Sequence, residues 1–197
     1  AFISSGRPVF NIKALRDYQT RIEEPLRTGY LFEAENGEVN FVDDPKGYIS
    51  IWKMPTKEMS YSIGADVAEG LSNGDFSCAY VGNTDFDIVA RWYGHIDADL
   101  FGEELVKLGK FYNNAYIAPE NNNHGLATIK AMTKKEYWNI YQMKTFDKFA
   151  DSTTQKLGWN TNIRSKPLMI DKLKEFVRER YLGIQDKTLI SEMFTYV

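Results

Sequence analysis

Three strand-like runs follow one another between Ser60 and Ile96 with no helix between them, and from Asp97 onward helices and strands alternate. YSIGADVA, FSCAYVGN and DIVARWYGHI are short, rich in β-branched and aromatic residues, and separated by turn signals at Ser72-Asn73-Gly74 and Thr84-Asp85. Runs joined so closely pair as an antiparallel meander, because a parallel return needs a longer crossover. Asp97 stands where it can cap a helix over DADLFGEELVKLGKFY, whose Leu100, Phe101, Leu105 and Leu108 fall on one face. A short strand (AYIAPE), a helix over HGLATIKAMTK and a further strand (NIYQM) come next. A meander continued by such alternation specifies an α/β layout with a mixed sheet.

Two of these runs end in acids. Asp66 and Glu120 each stand at or just beyond the end of an apolar run, so neighbouring strands can aim both into one cleft. Carboxylates gathered there repel each other unless a cation lies between them. A divalent-metal site is the leading reading, and phosphodiester chemistry its leading use. Two Mg²⁺ or Mn²⁺ ions can activate a water and stabilise the leaving oxygen. Such hard cations choose oxygen ligands, so the two histidines and single cysteine of the chain are no obstacle. On spacing alone, Asp66 as a surface strand-end residue and Pro119-Glu120-Asn121 as an ordinary turn remain open.

The first sixty residues have a different character. Asn11 can cap a helix through Ile22, and Asn36-Gly37 is a two-residue hairpin signal between alternating runs. The expectation is a connector followed by a β-hairpin or small sheet packed onto the main domain. Residues 144–164, rich in Thr, Asn, Lys and Asp, read as a long irregular connection. A helix with Pro167 at its start and a short amphipathic segment, SEMFTYV, complete the chain.

Charge is distributed unevenly. Residues 1–129 carry 11 Lys and Arg against 19 Asp and Glu, whereas residues 130–190 carry 13 against 7. Acids that hold cations beside a separate basic patch that holds phosphates suit a metal nuclease. Lys172, Lys174, Arg178 and Arg180 also read as the solvated outer face of a helix. The length of 197 residues suits one well-buried domain, and the lone Cys78, in an apolar FSCAYV setting, reads as a core thiol that fits a reducing compartment. No apolar stretch approaches the roughly 20 residues of a membrane span, and no membrane partner is expected. The absence of a GxxxxGK[ST] loop argues against ATP hydrolysis, and the absence of CxxC and HExxH against zinc sites.

Taken together, IGADVAEGLSNGDFS, a later APENNNHG and a late LGWNTNIRSKPLMIDKL resemble the nuclease domain of the tailed-phage terminase large subunit, the DNA-packaging motor protein. SGRPVFNIKAL is similar to the stretch joining that family's ATPase domain to its nuclease. The resemblance spans essentially the whole chain in the family's order. It implies an RNase H-like mixed sheet flanked by helices, with residues 1–28 as a connector from an ATPase domain and 29–197 as the nuclease domain. It also implies a metal-dependent endonuclease that cuts concatemeric double-stranded DNA during packaging of the viral genome, in the cytoplasm of the infected bacterial host, with the portal protein and small terminase subunit as partners.

Residue by residue, Asp66 matches the family's acid on the first core strand and Glu120 the acid after the fourth, both ligating Mg²⁺ or Mn²⁺. Asp75 lies in a family-like GDFS stretch and reads mainly as a turn residue, with the metals a lesser alternative. Asn121, Asn122 and His124 surround Glu120, either orienting it or contacting DNA, or simply forming a polar turn. Arg164, Ser165 and Lys166 match the family's basic stretch near the active site, with Lys166 expected on a phosphate near the scissile bond. Lys148 and Lys156 are expected to grip the DNA backbone, and Trp159 to be buried rather than stacked on a base. The family's third acid lies on a C-terminal helix beyond the equivalent of Val197, so the expectation is a domain without its C-terminal strand and helix, which would bind the second metal poorly and cut weakly or not at all; neither Asp171 nor Glu192 is assigned in its place. The competing readings are a non-catalytic DNA clamp or portal-docking module, and another RNase H-like nuclease of resolvase or integrase type.

Overall fold

In the computed structural model, which describes residues 8–70, 74–122, 124–147 and 152–197, the hairpin signal and the meander belong to one sheet. The chain begins with α1 (Ile12–Gln19), β1 (Arg27–Glu33), β2 (Val39–Asp43) and β3 (Ile49–Ile51). The meander is β4 (Tyr61–Asp66), β5 (Ser77–Asn83) and β6 (Ile88–Gly94). After it come α2 (Ala98–Phe111), β7 (Tyr116–Pro119), α3 (Gly125–Lys134), β8 (Gln142–Asp147), β9 (Ser152–Leu157), α4 (Ser165–Glu179) and α5 (Lys187–Thr195). Seven strands form a mixed sheet in the order β2-β1-β3-β6-β5-β4-β7. Every pairing is antiparallel except β4 with β7, which the chain reaches through β5, β6 and α2. This is the expected α/β, RNase H-like layout.

The N-terminal hairpin extends the sheet rather than packing on it. Ile49 lies opposite Trp92 and Ile51 opposite Ala90, so the three-residue β3 splices β1 and β2 onto β6. So short a strand carries too few alternations to announce its partner.

The two faces of the sheet are covered differently. Phe101, Leu105 and Leu108 of α2 and its C-cap Tyr112, with Met132 of α3, bury themselves against Ile63, Ala79, Val81, Trp92 and Ile117. On the other side, Ala14, Leu15 and Tyr18 of α1, Val177 of α4, and Ile190 and Met193 of α5 form a second apolar cluster, with Ile88 packed against it. β4 takes no part in that second layer. Its residues alternate strictly, with Tyr61, Ile63 and Ala65 buried and Ser62, Gly64 and Asp66 exposed.

Several local expectations change. Asn11 caps α1 through a bond from Ala14 N–H at 2.9 Å, but the helix ends at Gln19 rather than Ile22. Asp97 occupies the N-cap of α2 without a side-chain capping bond, and Leu100 is exposed on its first turn while Phe101, Leu105 and Leu108 are buried. NIYQM adds only an Ile117–Ile140 bridge to the main sheet; β8 pairs instead with β9 in a separate ribbon. Much of the segment read as irregular is therefore a hairpin. Its polar strands lack the apolar alternation that marks a half-buried strand.

Candidate metal centre and nucleic-acid face

Because β4 and β7 run parallel, their carboxyl ends lie at the same edge of the sheet. The register Ser62–Tyr116 through Ala65–Pro119 brings Asp66 and Glu120 side by side in the next row, where Glu120 N–H donates to the Ala65 carbonyl at 2.8 Å. Asp66 is also opposite Cys78, which is opposite Tyr93, so these side chains share the face away from α2. Desolvation, then a hydrogen bond with Glu120 and the charge of that carboxyl, hold Asp66 above the ordinary carboxylate range. The Val67 N–H opposes the shift and the charge of Asp75 adds to it. Two carboxylates so placed repel each other unless a cation lies between them.

Glu120 is held from behind. Asn122 Nδ2 donates to Glu120 Oε2 at 2.9 Å, while its own Oδ1 accepts from Gly125 N–H at 3.1 Å at the start of α3. No side chain fits at position 125, since a Cβ there would stand 1.7 Å from the Glu120 carbonyl oxygen. His124 Nε2 meets Glu69 Oε1 at 3.1 Å and joins the loops that follow β7 and β4. Asn121 faces away from the carboxyls and bonds to the Leu157 carbonyl and to Asn160. Asp75 is exposed, near enough for its charge to reach Asp66. Among the described residues, no three of His, Cys, Asp and Glu converge on one point. The donors in place are thus two carboxylates, a set that fits a hard divalent ion completing its shell with water.

The cations sort themselves by pairing. On α4, Lys172 meets Glu175, Lys174 meets Asp171, Arg178 meets Glu179, and Arg180 at its end meets Asp17. That stretch is the solvated, internally neutralised face. Arg164, Lys166 and Lys156 are exposed, with no carboxylate partner among the described residues. Lys148 lies outside the described residues. Trp159 is half-buried rather than fully buried: its main chain bonds to Pro119 and Asn121 beside Glu120, and its indole lines an apolar groove with Leu168, Met169, Leu173 and Phe176.

Several solved structures share this architecture. The large terminase nuclease of thermophilic phage G20c with bound cobalt superimposes with a TM-score of 0.65 at 16% identity, over 96% of this chain and 80% of that one. Its magnesium-bound form gives 0.62 at 16% identity, over 96% and 80%. The large terminase nuclease domain of Thermus phage P74-26 gives 0.54 at 15% identity, over 92% and 76%. The fold is that of the large-terminase nucleases. No protein-family model and no curated protein matches the chain.

Within this terminase-nuclease fold, the reading of the sequence overlooked Asn160 and Asn162. Asn162 and Ser165 bond reciprocally, Ser165 N–H to Asn162 Oδ1 at 3.0 Å and Asn162 N–H to Ser165 Oγ at 2.9 Å. An Asn followed three residues later by a hydroxyl before an amphipathic run is a readable variant of the capping box.

Proposed function

We propose that the chain is a metal-dependent endonuclease domain of the terminase type, cutting concatemeric double-stranded DNA during viral genome packaging in the infected bacterial host. The observation that carries this reading is the registered Asp66–Glu120 pair at the carboxyl ends of two parallel strands, on a sheet face that no helix covers at β4. Asp66 and Glu120 would hold Mg²⁺ or Mn²⁺, two ions being expected in a complete site. Such ions supply an activated water and neutralise charge on the leaving oxygen. The chain's own contribution is orientation. Asn122 fixes one oxygen of Glu120, and the Glu69–His124 contact ties together the loops beside the two acids. Arg164, Lys166 and Lys156 supply phosphate contacts, with Lys148 proposed alongside them; such contacts give affinity with little sequence preference. Residues 1–28 serve as the connector from an ATPase domain, and the portal protein and small terminase subunit are the partners of the assembled motor.

Plasmid digestion in Mn²⁺, with calorimetric Mn²⁺ titration alongside, tests the reading. Nicked and linear DNA from the unmodified chain, reduced on the order of a hundredfold or more by Asp66→Ala together with loss of Mn²⁺ binding, is the expected result. Cleavage that survives Asp66→Ala removes Asp66 from the site. DNA binding with neither cleavage nor metal uptake supports a clamp instead.

A further inference from the structure

A continuous line of side-chain hydrogen bonds runs from the turn after Glu120 to the basic start of α4. Asn121 donates from Nδ2 to the Leu157 carbonyl at 3.1 Å and accepts at Oδ1 from Asn160 Nδ2, also at 3.1 Å. Asn160 Oδ1 in turn accepts from Asn162 Nδ2 at 3.1 Å. Asn162 Oδ1 accepts the N–H groups of Arg164 at 2.9 Å and Ser165 at 3.0 Å, and the buried Ser165 hydroxyl donates back to the Asn160 carbonyl at 2.7 Å. Lys166 N–H closes the turn on the Asn162 carbonyl at 3.0 Å.

Stability alone does not call for the middle link. The first turn of α4 is already capped by the Asn162–Ser165 pair. The segment after β9 is already fastened to β7 by main-chain bonds from Trp159 to Pro119 and from Asn121 to Trp159, each 2.8 Å. The amide of Asn160 adds a side-chain join between these two secured pieces, beside the bond from the Ser165 hydroxyl to the Asn160 carbonyl. One piece carries Glu120 and the other carries Arg164 and Lys166, so this join reaches from the turn behind a carboxylate to the exposed cations. Both functions of the amide are used, since Nδ2 donates to one side and Oδ1 accepts from the other.

We infer that Asn160 is a positioning residue, whose side chain sets the basic start of α4 against the Glu120 strand end so that Arg164 and Lys166 meet a phosphate presented to Asp66 and Glu120. The inference rests on the nuclease reading above. Long cationic side chains still find phosphates when their helix start loosens, so ground-state DNA binding survives. Alignment of the reacting phosphate does not, and small misplacements are costly to rate.

The test compares the unmodified chain with Asn160→Ala, Arg164→Ala/Lys166→Ala and the triple variant, each shown to be folded by circular dichroism. Single-turnover cleavage is measured in Mn²⁺, and duplex affinity is measured without metal. Asn160→Ala should lower the cleavage rate about tenfold with DNA affinity within about twofold, and should add nothing once both cations are gone. On the metal-free protein, spin labels on cysteines replacing the exposed Leu126 and Leu168 should show a broader distance distribution in Asn160→Ala. A rate within twofold of the unmodified chain, an equal loss of rate and affinity, an undiminished effect in the cation-free background, or an unchanged distance distribution each overturns the positioning role. If the unmodified chain takes up no Mn²⁺ and cuts no DNA, the nuclease reading fails and the role falls with it; if that chain cuts and Asn160→Ala cuts equally well, the positioning role alone fails.

Discussion

At the scale of single residues, the Asp66–Glu120 pair is a source of stored repulsion. Its consequence for stability has a definite sign. The folded chain holds the Asp66 proton more tightly than the unfolded chain does, because of desolvation and the facing Glu120 carboxyl. The folded state therefore binds more protons across the interval between the ordinary carboxylate pKa and the raised one, and metal-free stability falls as pH rises through that interval. The favourable contribution is complete below the unfolded value and gone above the folded one. Asp66→Asn should flatten this slope and raise the melting temperature of the metal-free protein at neutral pH, by thermal denaturation followed from pH 4 to 8. A melting temperature at neutral pH that is unchanged or lower in Asp66→Asn contradicts the account. These two acids were legible in the sequence because each ends an apolar run, and strand ends are where α/β sheets gather ligands. Asn160 was not, since its partner Asn121 lies across a connection whose path only the folded chain defines, whereas the Asn162–Ser165 pair is local.

Among the elements, α5 shows one carboxylate serving two structures. Asp186 accepts from Thr188 N–H at 2.9 Å and so caps the helix, while also receiving Arg91 at 2.8 Å and the Tyr80 hydroxyl at 2.8 Å from the sheet below. Its side chain is only 3% exposed and that of Arg91 16%. Burial, followed by the charge of Asp186, pushes the Tyr80 phenol far up, so it remains a donor at any working pH. Asp186→Ala leaves Arg91 buried without its charge partner and should cost about 3–5 kcal/mol. That corresponds to a fall in melting temperature of about 6–20 °C for a chain of this size; a fall under about 3 °C would show that the network is dispensable. The elements themselves were readable wherever apolar periodicity was strong, as in β4 to β6, α2 and α4. They were not where apolar alternation is missing from the sequence, as in the β8–β9 ribbon, or where a strand is as short as β3.

For the whole molecule, the decisive feature is that the sheet is continuous across the splice at β3. The hairpin was expected to pack onto the main domain; the β3–β6 pairing instead continues the sheet through it. Removing residues 1–57 would strip β6 of its β3 partner and uncover an edge carrying Val89, Ala90 and Trp92, all buried in the intact chain. Unpaired apolar edges recruit other chains, so the truncated protein should elute as aggregate in size-exclusion chromatography, whereas a monodisperse product would mean that β1 to β3 are detachable. The same sheet has a bare strip on its other side. Nothing stands within 4 Å of a Cβ built on Gly64, which shares its face with Asp66 two residues away. The lone native thiol, Cys78, is pushed up to about 12 by burial and so is poorly nucleophilic. A cysteine at position 64 would thus be a selective attachment point for a fluorophore, turning the bare strip of β4 into an optical window on whatever settles over the acids.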